Sequence, residues 1–255
     1  MRASARRVAA TGALALALPA LAYVLPVPAI LRRAGERRAQ LGLSSLEVHG
    51  TLHAEGAAVE RVAAAAGVRG ASARFVVPAR FSMKTPGRCR LELAPADLAE
   101  ADRPYAISRD GKLSGRALDG VPAAAALVRS VCALLAVAPV AGGAERAYAD
   151  ALGRRGVALD EAVIGRFGGR LSWVVGGRGR DARPLAYVDK ETFQPLRLVA
   201  QEGGTLLDTR LVDWGSPMGG DWFPRAVEVW DKDQLRLRLS VEKVQANPKL
   251  PDALF

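Results

Sequence analysis

The sequence predicts an α+β fold, an antiparallel sheet with one apolar face covered by apolar helices. Two observations carry this. First, from about Arg170 to Phe255 the chain alternates apolar and polar residues in short runs broken by Gly, Pro, Asn and Asp. Leu171, Trp173 and Val175 share one parity, as do Leu196, Leu198 and Ala200. Leu235, Leu237, Leu239 and Val241 stand opposite Arg236, Arg238 and Ser240. A period of two sets each apolar group on one face of a strand. Short turns between such runs make an antiparallel meander with one dry face and one wet face. Second, the run from Pro122 to Val137 is apolar almost all round, interrupted by Arg129 and Ser130. A helix without a polar face is buried in protein or in lipid. At about 16 residues it is roughly 24 Å long, and a mid-helix charge is costly in a bilayer. It is therefore read as a buried helix lying in the hollow of the sheet.

The elements follow in order. Arg2, Arg6 and Arg7 precede an apolar run, Val8 to Leu18, and an Ala20-Leu21-Ala22 cleavage signature. Residues 1–22 thus read as a cleavable secretory signal, with Tyr23 as the first mature residue. The run is shorter than the about 20 residues of a membrane span, and an uncleaved anchor is the alternative. The Ala/Arg-rich, aromatic-poor composition suits a GC-rich bacterium, and a periplasmic address follows. Residues 23–255 read as one domain. Pro26 to Gly42 reads as a helix with Ile30, Leu31, Ala34 and Leu41 on one side and arginines elsewhere. Leu46 to Glu55 alternates as a first strand. Residues 56–70 read as a loose connection or a strand continuation. Ala71 to Val77 gives a second strand, Phe81 and Met83 a third after Pro78, and Cys89, Leu91 and Leu93 a fourth. Tyr105 and Ile107 approach a hairpin turn at Asp110-Gly111. Pro122 opens the apolar helix and Pro139 ends it. Ala144 to Leu152 is a second, more polar helix stopped by Gly153, so the covering helices occupy about 122–153.

Net charge is +10, and removing Arg2, Arg6 and Arg7 leaves +7 (33 basic minus 26 acidic). The basic residues are spread along strands, so they read as a solvated face and not as a nucleic-acid site. His49 and His53 share a strand face about 13 Å apart, too far to bind one metal. Gly215-Ser-Pro-Met-Gly219 places its serine one position early for a nucleophile elbow. Gly176-Gly-Arg-Gly-Arg-Asp181 lacks the Lys-Ser/Thr of a phosphate loop and reads as a hairpin turn. Asp231-Lys-Asp233 does not continue as a calcium loop. No enzyme, metal or cofactor is expected. Cys89 shares parity with Leu91 and Leu93, and Cys132 lies in the apolar helix. The two are either a disulfide or two buried free thiols.

Three further stretches carry a resemblance. Tyr187-Val-Asp-Lys-Glu-Thr-Phe-Gln-Pro-Leu-Arg-Leu198 is one. Asp213-Trp-Gly followed by Asp221-Trp-Phe-Pro-Arg225 is another. The third is the ending from Leu239 through Asn247-Pro-Lys-Leu-Pro-Asp-Ala-Leu-Phe255. Together these resemble the LolA-like periplasmic lipoprotein carriers over roughly residues 170–255. The resemblance implies a curved antiparallel sheet forming an open half-barrel, with an apolar helical lid in the concave face. It implies a monomeric, non-enzymatic carrier of lipoprotein acyl chains or lipids, working between an inner-membrane donor and an outer-membrane acceptor. Related half-barrels imply an alternative, an envelope sensor that contacts a membrane-bound regulator. The strand parities give the expected lining: Phe75, Val77, Phe81, Met83, Leu91, Leu93, Trp173, Val175, Leu196 and Leu198, with Leu127 and Val131 from the helix. In the family an Arg just before a Pro on an early strand is tied to hand-over. Here Val77-Pro78 stands at that place, with Arg80 two residues on.

Overall fold

The computed structural model describes residues 24–71, 73–137, 143–177 and 183–255. The expected signal segment, the helix stop at Pro139 and residues 178–181 of the expected glycine-rich turn lie outside them. Twelve strands are described in chain order: β1 (Ser45–Glu55), β2 (Arg74–Lys84), β3 (Arg88–Leu93), β4 (Tyr105–Arg109), β5 (Lys112–Arg116), β6 (Ala162–Phe167), β7 (Arg170–Val175), β8 (Leu185–Asp189), β9 (Pro195–Glu202), β10 (Thr205–Val212), β11 (Ala226–Asp231) and β12 (Gln234–Ala246). They form one curved, unclosed antiparallel sheet in the order β5-β4-β3-β2-β1-β12-β11-β10-β9-β8-β7-β6. Two meanders, β1–β5 and β6–β12, are zipped together along β1 and β12. The chain between them carries α3 (Pro122–Leu135) and α4 (Ala144–Gly153), and α3 packs against strands of both halves. The architecture is the expected α+β half-barrel with an apolar helix in its concavity.

The other two helices are α1 (Val27–Gln40) and α2 (Val59–Ala65). In α1, Pro26 stands at the N-cap, Arg37 and Arg38 occupy the last turn, and Gly42 follows with a left-handed φ of 62°. These are ordinary start and stop signals. Gly35 lets α1 approach α4 closely, since a Cβ there would sit 2.5 Å from that of Ala144. Gly50 is needed for a different reason. It lies at a register shift between β1 and β12, where a Cβ would meet the Ser240 carbonyl oxygen at 2.0 Å. Among the described residues no helix is long and apolar enough to cross a membrane.

Four expectations need correction. Most of the 56–70 stretch is a 3₁₀ turn (Gly56–Ala58) and α2, because Val59, Val62, Ala63 and Ala66 bury one helical face. The second and third expected strands are one, β2, running through Pro78. The Pro78 carbonyl points to the β3 side and accepts from Ala94 N at 2.8 Å, while the β2–β3 ladder begins only at Ala79↔Leu93. Pro78 thus stands at the end of the ladder, where its missing N–H removes a single terminal bond. Leu196 does not share a face with Leu198. A bulge pairs Tyr187 with Arg197 but Val188 with Pro195, which leaves Leu196 as the extra residue. It joins Val174, Leu185, Tyr187 and Val199 in a separate cluster on the other face. The same happens to Leu235, where a shift between Val229 and Trp230 pairs Leu235 with Trp230 and leaves Arg236 unpaired in the ladder. One slipped residue reverses the faces that strict alternation assigns.

Candidate functional site

The site is the concave face of the sheet and the helix that fills it. In α3 only Pro122, Arg129 and Ala133 are partly exposed, and every other residue is buried. Ala123 to Ala126 give its first turns minimal side chains. The helix therefore sinks deep into the concavity, packing against β3 and β4 on one side and β9 to β12 on the other. Val77, Phe81, Met83, Leu91, Leu93, Leu127, Val131, Trp173, Val175 and Leu198 all belong to one buried cluster, with Phe75 partly buried at its margin. Leu196 is the exception among the expected lining residues, for the reason given above.

The concavity holds less open space than a thinly covered sheet implies. Two hollows flank α3. One, about 190 Å³, lies at its N-terminal end between Ala58, Val121, Pro122, Leu207, Asp231 and Arg236. The other, about 180 Å³, lies along its C-terminal half between Gly87, Ser108, Arg129, Cys132, Ala136 and Arg155. An apolar cavity of about 150 Å³ holds one benzene, so each suits a small fragment. The helix itself occupies the remainder. Polar atoms of this region that are buried without a hydrogen-bond partner among the described residues include Ser108 Oγ, Trp173 Nε1, Thr209 Oγ1 and the Nε atoms of Arg129 and Arg155. Unpaired buried polar groups are costly.

Polar contacts hold α3 at one end. Its last carbonyls would otherwise lack donors. Tyr148 Oη on α4 donates to Leu134 O at 2.5 Å, Arg38 Nη2 on α1 to Leu135 O at 3.2 Å, and Gly87 N to Ala136 O at 2.7 Å. Arg38 also donates to Trp222 O at 3.0 Å. Burial draws the Arg38 guanidinium below its ordinary pKa, with the neighbouring Tyr148 opposing. Burial pushes the Tyr148 hydroxyl up to about 12, and Arg38 counters part of that. Arg129, the mid-helix charge, donates to Glu202 Oε2 at 3.0 Å, and Arg155 bonds the other carboxylate oxygen. Desolvation lowers the Arg155 pKa against the pull of Glu202. The N-terminal end of α3 has no side-chain cap.

Sequence reasoning missed Arg38, Tyr148, Arg155 and Glu202. For Arg38 a signal existed, since it stands four residues after Ala34 and eight after Ile30, on the buried stripe of α1. Arg80 lies on the outer face, opposite His49 and 3.7 Å from Glu100. Arg38, not Arg80, reaches the C-terminal end of the lid. His49 Nε2 is 2.7 Å from Glu47 Oε1. Cys89 and Cys132 are free thiols, both buried, with Cys132 Sγ 3.9 Å from Ser108 O. The segment from Tyr187 to Leu198 forms the β8–β9 hairpin, whose turn is tied by Asp189 Oδ1 accepting from Glu191 N and Thr192 N at 2.9 and 2.8 Å.

Comparison with known proteins finds similarity in fold only. No protein-family model and no curated protein matches the chain. Among solved structures it aligns with the LolA superfamily protein NE2245 from Nitrosomonas europaea at 12% identity and a TM-score of 0.47, covering 91% of this chain and 98% of that one. A proposed outer membrane lipoprotein-sorting protein domain from Vibrio parahaemolyticus aligns at 11% identity and a TM-score of 0.44, covering 88% and 94%. A DUF1329 family protein from Desulfovibrio piger aligns at 12% identity and a TM-score of 0.45, covering 91% and 98%.

Proposed function

We propose that this chain is a non-enzymatic periplasmic carrier of acyl chains, from lipids or lipoproteins, with α3 as a lid that the cargo displaces. One observation supports this above the others. The apolar concave face of a twelve-stranded sheet is covered along its middle by a helix, and among the described residues the side-chain contacts that tie that helix fall in its C-terminal half. Displacing the helix from its uncapped end opens the way into the apolar cluster that includes Phe81, Met83, Leu91, Leu93, Trp173 and Leu198. Each acyl methylene buried there contributes about 0.8 kcal/mol, so cargo needs no specific polar contact to bind. The reading includes export by residues 1–22 and delivery between an inner-membrane donor and an outer-membrane acceptor.

The sensor reading needs an outer face with arginines available to a partner. Several of those arginines already face carboxylates: Arg197 and Arg210 meet Asp208, Arg90 and Arg103 meet Glu92, and Arg238 meets Glu228. This favours the carrier. The test is titration with a fluorescent fatty acid, together with native mass spectrometry of protein purified from the envelope fraction. Saturable uptake and co-purified lipid are expected. Protein that stays empty in both measurements refutes the reading.

A further inference from the structure

We propose that Cys89 and Cys132 form a reversible disulfide that staples α3 to β3. Cys89 faces the concavity and pairs across strands with Ser108 on β4. Cys132 lies over that pair, with its Sγ 3.9 Å from the Ser108 carbonyl. Burial, with Cys132 beside it, pushes the Cys89 thiol up, and both cysteines are buried, at 0% and 5% exposure. With the Cys132 sulfur against the residue paired to Cys89, a short closure brings the two side chains to bonding geometry. The hollow of about 180 Å³ beside the C-terminal half of α3 is bounded by Cys132 but not by Cys89. A small reagent therefore meets Cys132 first, and Cys89 stands behind it as the resolving thiol.

The chemistry is thiol–disulfide exchange with an external disulfide, the co-reactant class of an oxidising compartment. The sulfur of Cys132 attacks the external disulfide, forms a mixed disulfide and releases one thiol, which takes the Cys132 proton. The sulfur of Cys89 then attacks that of Cys132 and expels the second thiol, which takes the Cys89 proton. Two electrons and two protons pass to the external disulfide. The product ties the helix covalently, next to where Glu202, Arg38 and Tyr148 hold it by reversible contacts. The bond itself is independent of any cargo. Its effect on uptake rests on the carrier reading proposed above.

The test oxidises the full exported chain with oxidised glutathione, then alkylates it in denaturant. Non-reduced protein is expected to lose the mass of two hydrogens and to yield a Cys89–Cys132 cross-linked peptide. Backbone amides of α3 should exchange roughly tenfold or more slowly than in dithiothreitol-treated protein. Neither change is expected in Cys89→Ala or in Cys132→Ser, and the second variant stands in if the first does not fold. Two alkylated thiols, or glutathione adducts without the cross-link, overturn the proposal. A cross-link that leaves α3 exchange unchanged overturns the staple. Fatty-acid uptake by the reduced form that falls several-fold on oxidation supports the locked lid, and equal uptake by both forms overturns it. If neither form takes up fatty acid while the cross-link and slowed exchange stand, the carrier reading fails and the staple survives.

Discussion

Replacing Glu202 by Gln tests whether α3 is held by charge. The Glu202 side chain is 4% exposed and serves both Arg129, 24% exposed, and Arg155, 3% exposed. Glutamine keeps the shape and one acceptor but removes the negative charge, leaving two guanidiniums beside a neutral amide. Removing one member of a buried ion cluster costs about 3–5 kcal/mol, against about 0–1 for an exposed pair. Arg129 can turn partly toward water, which places the expected loss near the lower end, about 3 kcal/mol. In a chain of this size each kcal/mol moves Tm by about 2–4 °C, so a fall of roughly 6–12 °C is expected. Thermal and urea unfolding followed by circular dichroism measure it. Replacing Arg129, Glu202 and Arg155 together by Leu should return most of the stability, because apolar packing substitutes well for a buried ion cluster. A Glu202→Gln protein within about 1 kcal/mol of wild type refutes the reasoning, since the cluster then contributes no more than a surface pair.

Three other perturbations bear on the lid. Arg38→Met strands the Leu135 and Trp222 carbonyls. A loss of roughly 3 kcal/mol, from two charged hydrogen bonds, should appear with faster amide exchange at the end of α3, and unchanged exchange there would contradict the tether. Tyr148 titrates near 12 when folded and near 10 when unfolded, so its stabilisation is complete below about pH 10 and is lost as pH rises toward 12. Alkaline unfolding of wild type should therefore show roughly 3 kcal/mol of pH dependence in that window that Tyr148→Phe lacks. Leu127 is wholly buried on α3, so Leu127→Ala should cost about 2–5 kcal/mol in urea unfolding and leave a cavity that takes a small aromatic ligand.

Much of the architecture was legible before any coordinates. The alternation of β12, the apolar circumference of α3 and the Pro and Gly punctuation of α1 each state their element plainly. The errors are physical in origin. Pro78 reads as a strand break because a missing N–H is costly within a ladder, and here the proline stands just past the end of β3, beyond the Ala79↔Leu93 pair. Leu196 and Leu235 read as inward because parity assumes an uninterrupted ladder, and bulges depend on the partner strand. The depth of the concavity was also not legible. It depends on how far an alanine-rich helix sinks, which no single run of residues states. The tethers from Arg38 and Glu202 join elements 97 and 73 residues apart, and a charged residue looks solvated until its partner is placed.

Because the sheet is unclosed, it has two rims whose backbone amides face outward. They are guarded unequally. The β5 rim is five residues long and carries Lys112 and Arg116, a combination that discourages another chain from adding as a strand. The β6 rim reads Ala-Val-Ile-Gly-Arg-Phe, with one charge among apolar side chains. An extended peptide, including a second copy of this chain, has its best landing place along β6, and crowding the protein at high concentration puts that side of the molecule under the greatest strain.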